Sequence, residues 1–374
     1  MQLKMLSTDE FRAFSQTLRE LEQDPQVQSL LIFLPEGNAW DDADLNAELQ
    51  RFSKPVIGGI FPQIIFQQQC HTKGALFIGS ATRWDITTVA FSEQQSSDEL
   101  VATLLSQYPE QYQDNTLLVI SDGLAPGMSI LIDELFNHFG LSINFVGGGA
   151  GSLTLQQRPC VITNQGLQQG IAAMALLHCQ SGIGVAHGWQ SITDAYRVTE
   201  SLGNQIISLN WQPAFEVYQQ VIAEHSKQQI RPDNFFHLAK SYPFGLTKLG
   251  NEFVIRDPIT TENNRLICVG DVPVGSFVHV MHGDVINLPK AAADAKSKAQ
   301  QVFTQTDTID VQLFIDCISR VLFLAEDFST ELANAAVPNL PMVGALTLGE
   351  IANSGQDYLE FYNKTAVVAL LKGF

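Results

Sequence analysis

The sequence predicts an α/β fold of the α+β kind, with repeated strand–helix–strand–hairpin units forming mixed sheets in two domains. Three observations carry this reading. An apolar pair runs into glycine, then a polar turn and an apolar strand, at Lys54 to Ile78, at Asn144 to Leu177 and at Leu340 to Leu371. Each of these stretches follows a short hydrophobic strand and then a helix. The strands are Leu30–Leu34, Thr116–Ile120 and Val311–Ile315, and the helices lie near Asp44–Phe52, Met128–Phe139 and Ser329–Ala336. The closing strand, Thr365 to Leu371, is continuously apolar, as expected of a strand covered on both faces. A long-period repeat of one supersecondary unit is a signal about the whole fold.

Taken in order, Ser7 to Glu10 has a capping-box pattern, and Phe11, Phe14, Leu18 and Leu21 mark one helical face. Asp24-Pro25 ends that helix. The first unit then runs to a strand at Ile86–Phe91, followed by a polar connector at Ser92–Ser97. A second amphipathic helix, Asp98–Tyr108, turns Leu100, Leu104 and Leu105 inward. The second unit begins at Thr116 and is followed by the extended stretch Gly182–Trp189. Trp211-Gln212-Pro213-Ala214 marks a boundary, with Pro213 at a helix start where its missing N–H costs nothing. This divides the chain into expected domains 1–212 and 213–374. Lys240–Val280 is rich in strands, Ala291–Phe303 is helical, and the third unit follows. In that unit the strand Met342–Val343 is expected to stop at Gly344, and a tight turn at Asn363–Lys364 relies on asparagine tolerating positive φ.

Composition bounds the function. At 374 residues the chain has room for about two domains, and with 45% hydrophobic residues each can bury a sizeable core. The net charge of −18 repels phosphate backbones and anionic membrane surfaces, so neither nucleic acid nor a membrane is an expected partner. Cys70, Cys160, Cys179, Cys268 and Cys317 are widely spaced and contain no C-x-x-C pair, which fits reduced thiols rather than a disulfide framework or zinc. No apolar signal segment and no run of about eighteen apolar residues occurs, so a cytoplasmic location is expected.

Motifs for catalysis are sparse. Gly147-Gly148-Gly149-Ala150-Gly151-Ser152 lacks the lysine and the following helix of a phosphate loop, so its glycines read as close backbone approach. His279 and His282 fall on opposite faces of a strand, which argues against joint metal ligation. No G-x-S-x-G elbow occurs. Cys317 stands at a strand end with Arg320 three residues on, and a guanidinium there would lower the thiol pKa.

The strongest motifs lie near the C-terminus. Cys317-Ile318-Ser319-Arg320, then Pro341-Met342-Val343-Gly344, then Gly349-Glu350, then Asn363-Lys364-Thr365 resemble the C-terminal FIST domain in residue type and order. Arg256, within Val254–Pro258, lies in a further FIST-like segment, and Val146–Gly151 is similar to the N-terminal FIST domain. The first glycine segment, Val56–Pro62, lacks the family's small polar residue and glutamate. The resemblance implies a bacterial, cytoplasmic sensor that is not an enzyme. It would bind a small ligand, such as an amino acid, and pass the signal to a separate partner such as a histidine kinase or a diguanylate cyclase. Its expected binding residues are Arg256, Cys317, Arg320, Gly344, Gly349, Glu350, Asn363 and Thr365, with arginine clamping a carboxylate and Glu350 receiving an ammonium. The same charges could equally form internal ion pairs. No cofactor is expected. A haem-bearing nitric-oxide sensor regulating a histidine kinase, with His187 as axial ligand, is one alternative, and a thiol-dependent hydrolase using Cys317 is another.

Overall fold

The computed structural model describes residues 1–91, 97–108, 112, 115–248, 252–304, 308–353 and 358–374. Residues 92–96 of the expected connector and the Leu105 side chain lie outside these. Leu100 and Leu104 are buried as expected.

One supersecondary unit occurs three times. The first copy comprises β1 (Gln2–Leu6), α1 (Phe11–Gln23), β2 (Ser29–Pro35), α2 (Asp42–Arg51), β3 (Val56–Phe61), a hairpin of β4 (Gln63–Phe66) and β5 (Gln69–His71), and β6 (Ala75–Ser80). The second comprises β7 (Ile86–Ala90), α3 (Ser97–Gln107), β8 (Thr116–Asp122), α4 (Met128–Phe139), β9 (Asn144–Ala150), β10 (Val161–Thr163), β11 (Gly166–Gln168) and β12 (Ile171–Leu177). The third opens with β13 (Gln180–Ala186) and is then interrupted by an insertion. The insertion holds β14 (Gln190–Ser191), β15 (Tyr196–Leu202), β16 (Gln205–Leu209), β17 (Gln212–Pro213), α5 (Ala214–Ser226), α6 (Phe235–Ala239), β18 (Phe244–Thr247), β19 (Phe253–Glu262), β20 (Arg265–Val269) and β21 (Phe277–His282). The unit resumes with α7 (Asn287–Gln300), β22 (Val311–Cys317), α8 (Ile318–Leu324), α9 (Phe328–Ala335), β23 (Met342–Thr347), the hairpin β24 (Glu350–Ala352) and β25 (Glu360–Tyr362), and β26 (Ala366–Lys372). The repeat therefore starts one strand and one helix earlier than the glycine pattern suggests.

Pairing is the same in each copy. β2/β3, β8/β9 and β22/β23 are parallel, with β6, β12 and β26 antiparallel on the other side. Each glycine strand then accepts a hairpin from another copy: β10 joins β3, β24 joins β9 and β4 joins β23. The three six-stranded sheets are thus linked in a cycle. One glycine makes the parallel pairing possible in each. Gly58, Gly147 and Gly344 face Ile32, Val119 and Phe314, and a Cβ on them would sit 2.0, 1.8 and 1.8 Å from the opposing carbonyl oxygen. Gly344 therefore lies inside its strand, which runs on to Thr347.

Alternation places the core. Leu31 and Phe33, Leu118 and Ile120, and Leu313 and Ile315 turn one face of each sheet into a common central cluster. Leu30 and Ile32, Leu117 and Val119, and Phe314 face outward onto helices. Both faces are covered, which is why the strands read as unbroken apolar runs. The insertion has its own core, around which the pairings β18–β21–β15–β16–β20–β19–β18 close into a ring.

Two local expectations change. α1 starts at Phe11 without a side-chain cap, because Thr8 Oγ1 accepts the Glu10 N–H and Asp9 pairs with Lys73. In the last turn Lys364, not Asn363, takes positive φ, at 50°. The side chain of Lys364 is buried and held by tertiary partners that decide its conformation.

Candidate functional site

The charged residues singled out in the C-terminal motifs gather at the carboxyl ends of β22 and β23, where crevices form in parallel sheets. Arg320, on α8, is 0% exposed. Its guanidinium lies 2.6 Å from Glu331 and 3.1 Å from Asp316, and it donates to the carbonyls of His187, Lys364 and Leu288. Burial opposes its charge, but Glu331 and Asp316 offset that and raise its pKa. Asp316 is pushed well above the usual carboxylate range by burial and then by Glu331. Arg320 is thus enclosed by protein acceptors.

Glu350 is also 0% exposed. Its carboxyl group accepts from Thr347 Oγ1 at 2.9 Å and from the Thr365 amide at 3.4 Å, and it contacts the Cys317 thiol. Burial raises it to about 8. Burial and Glu350 push the Cys317 thiol well up, so it rests protonated and is a weak nucleophile. Structure therefore brings Cys317, Glu350 and Thr365 together, with Arg320 in a separate cage behind them. Gly344 packs within its sheet. Cys317, Gly349 and Asn363 line a small apolar pocket.

Arg256, on β19, is different. It is 7% exposed and donates only to backbone carbonyls: Asp271 at 2.9 Å, Ile255 at 3.1 Å and Phe361 at 3.0 Å. Among the described residues no carboxylate forms an ion pair with it. Burial lowers its pKa. It lines a cleft of about 650 Å³ between the start of α4, the inserted ring and β25. Asp133, Asp271, Glu360, Lys248 and Ser129 line the same cleft. Lys248 pairs with Glu360, and Ser129 Oγ donates to Asp271 at 2.5 Å. Partial burial and then Glu360 raise the Asp133 carboxyl.

His187 follows β13 and is half-buried in a cleft of about 400 Å³. Its Nδ1 accepts the Trp189 N–H at 2.9 Å, and burial, Arg320 and Lys298 push it down to about 4. Haem does not fit these residues. The macrocycle needs broad apolar walls, and this cleft mixes Trp189, Phe253 and Tyr362 with Glu252, Lys290, Asp294 and Lys298.

Sequence reasoning missed Asp133, Asp271, Glu360 and the buried pair Lys364–Asp257, whose charges are 3.1 Å apart. Only a charge in an otherwise apolar run, as at Lys364 before Thr365–Leu371, hinted at the last of these.

Three linked sheets, an inserted ring and a charged cleft make up the fold. The chain matches the FIST N domain over residues 28–212 and the FIST C domain over residues 214–353. It belongs to the FIST family, whose domains are associated with signal-transduction sensing of small ligands. An uncharacterized protein of Methanocaldococcus jannaschii is 25% identical over 30% of this chain, a match that spans 24% of that relative's length. Among the described residues no helix is long and apolar enough to cross a membrane.

Proposed function

We propose that the chain is a sensor for a zwitterionic metabolite of the α-amino-acid type, bound in the cleft beside Arg256. One observation carries this reading: a buried guanidinium faces the cleft and, among the described residues, forms no ion-pair contact with a carboxylate, Glu360 and Asp271 acting on it only from farther away. A charge removed from water is costly unless it is paired, and a ligand carboxylate would accept from Nη2, the guanidinium nitrogen not used by the three carbonyls. The acids Asp133 and Asp271, which no cation pairs among the described residues, stand in the same cleft to receive an ammonium group. A volume of about 650 Å³ lies within the usual range for small-molecule sites.

The cleft's walls come from the second unit, the third unit and the insertion. A bound molecule touching all three favours one arrangement of the ring against the repeats, and a ligand shifts an equilibrium by its differential affinity. That shift is what a separate partner, such as a histidine kinase or a diguanylate cyclase, would read. The test is calorimetric titration of the full chain with the common amino acids. At least one should bind, and Arg256→Gln should weaken it by about 2–5 kcal/mol. Equal binding by the variant, or no binding by any amino acid, rejects the reading.

A further inference from the structure

We propose that a second pocket, next to the Arg256 cleft, binds a small apolar molecule ending in an uncharged amide. The pocket encloses about 270 Å³ and has apolar walls, including Leu124, Leu155, Ile259, Leu322 and Leu348. Large apolar side chains are half-exposed along it: Leu153 at 40%, Leu155 at 45% and Phe236 at 44%. Leu124, Ile259 and Val269 line both this pocket and the Arg256 cleft, and so divide them.

Its polar residues are unusual. Asn363 is 1% exposed, and among the described residues neither its Oδ1 nor its Nδ2 has a protein partner. Asp257 is 2% exposed, and its Oδ1 is also unpartnered, while its Oδ2 is held by Ser319 Oγ at 2.8 Å and Lys364 Nζ at 3.1 Å. Buried polar atoms are nearly always hydrogen-bonded, so three such orphans in one small pocket need an explanation. Together they offer one N–H₂ donor and two acceptors. A carboxamide is the complementary group, since its carbonyl accepts from Asn363 and its N–H₂ donates to Asn363 and Asp257.

Charge excludes the alternatives. A carboxylate head would need a free cation, and the nearby cations Lys364 and Arg320 are already enclosed by protein acceptors. An ammonium head would bring a positive charge to an aspartate that Lys364 already pairs. An apolar chain with a neutral amide leaves the site balanced.

The test uses hexanamide, hexanoate and hexylamine, titrated calorimetrically into the full chain. Hexanamide should bind at least about tenfold more tightly than either charged analogue, as expected where buried polar groups read a matching head. Asn363→Ala should weaken hexanamide by a similar factor. Leu153→Glu, at an exposed position that does not threaten folding, should also weaken it. Arg256→Gln should leave it unchanged, which separates this site from the amino-acid cleft. The proposal is overturned if hexanoate or hexylamine binds as tightly as hexanamide, or if none of the three binds. It is also overturned if Leu153→Glu binds hexanamide like the natural chain, or if Arg256→Gln abolishes that binding.

Discussion

Arg320 and Arg256 are both buried arginines, yet their surroundings differ in kind. Arg320 sits against two carboxylates and three carbonyls. Arg256 has three carbonyls, no carboxylate in ion-pair contact among the described residues, and a cleft at its side. A cage satisfied by the chain itself is a structural device, whereas a guanidinium beside a cleft, with no ion-pair contact among the described residues, is the group we propose for a ligand. The partner list, more than burial or motif membership, separates the two roles.

The comparison breaks most sharply on stability. Arg320→Met leaves Asp316 and Glu331 facing each other in the interior, so unfolding free energy should fall by about 3–5 kcal/mol. Denaturant melts of the ligand-free chain read this directly. Arg256→Met strands carbonyls but no carboxylate, and should cost less, about 1–3 kcal/mol. If Arg256→Met proves the more damaging of the two, the distinction between cage and cleft fails.

A pH series sharpens it further. Glu350 has a folded pKa of about 8 against an ordinary 4.5. Its contribution to stability is complete below pH 4.5 and is lost as pH rises through 8. Glu350→Gln should therefore flatten the decline in melting temperature between pH 5 and 8, and a profile parallel to that of the natural chain would exclude a protonated Glu350. His187 works in the opposite sense. Its folded pKa of about 4 against 6.5 gives stability that is present above pH 6.5 and lost as pH falls through 4. In His187→Asn the amide oxygen can take over the Trp189 N–H, and the acid limb should become shallower.

Much of the scaffold could be read in advance, because its signals are local. Met128–Phe139 is a helix over the residues that its apolar spacing and the preceding glycine indicate. The three leading strands pair as equivalents because each has an unbroken apolar run and a glycine strand to meet. The exchange of hairpins between copies was not legible, since short strands such as Val161–Thr163 have no sequence mark that names their partner. The acids of the cleft stayed hidden for a similar reason. Asp133 lies on α4, Asp271 follows β20 and Glu360 opens β25, so only the folded chain brings them to Arg256. Lys364 shows tertiary contacts overriding a turn preference: its Nζ reaches Asp257 and the Lys240 carbonyl, and the backbone takes the left-handed turn that allows it.

The central claim is that Arg256, with no ion-pair contact among the described residues, takes its counterion from a ligand. Thermal melts of the natural chain and of Arg256→Gln, each with and without a panel of α-amino acids, test it most directly. A ligand that binds only the folded state raises its stability by mass action. At least one amino acid should raise the melting temperature of the natural chain and leave that of Arg256→Gln unmoved. An equal rise in both proteins would place the binding elsewhere and contradict the account.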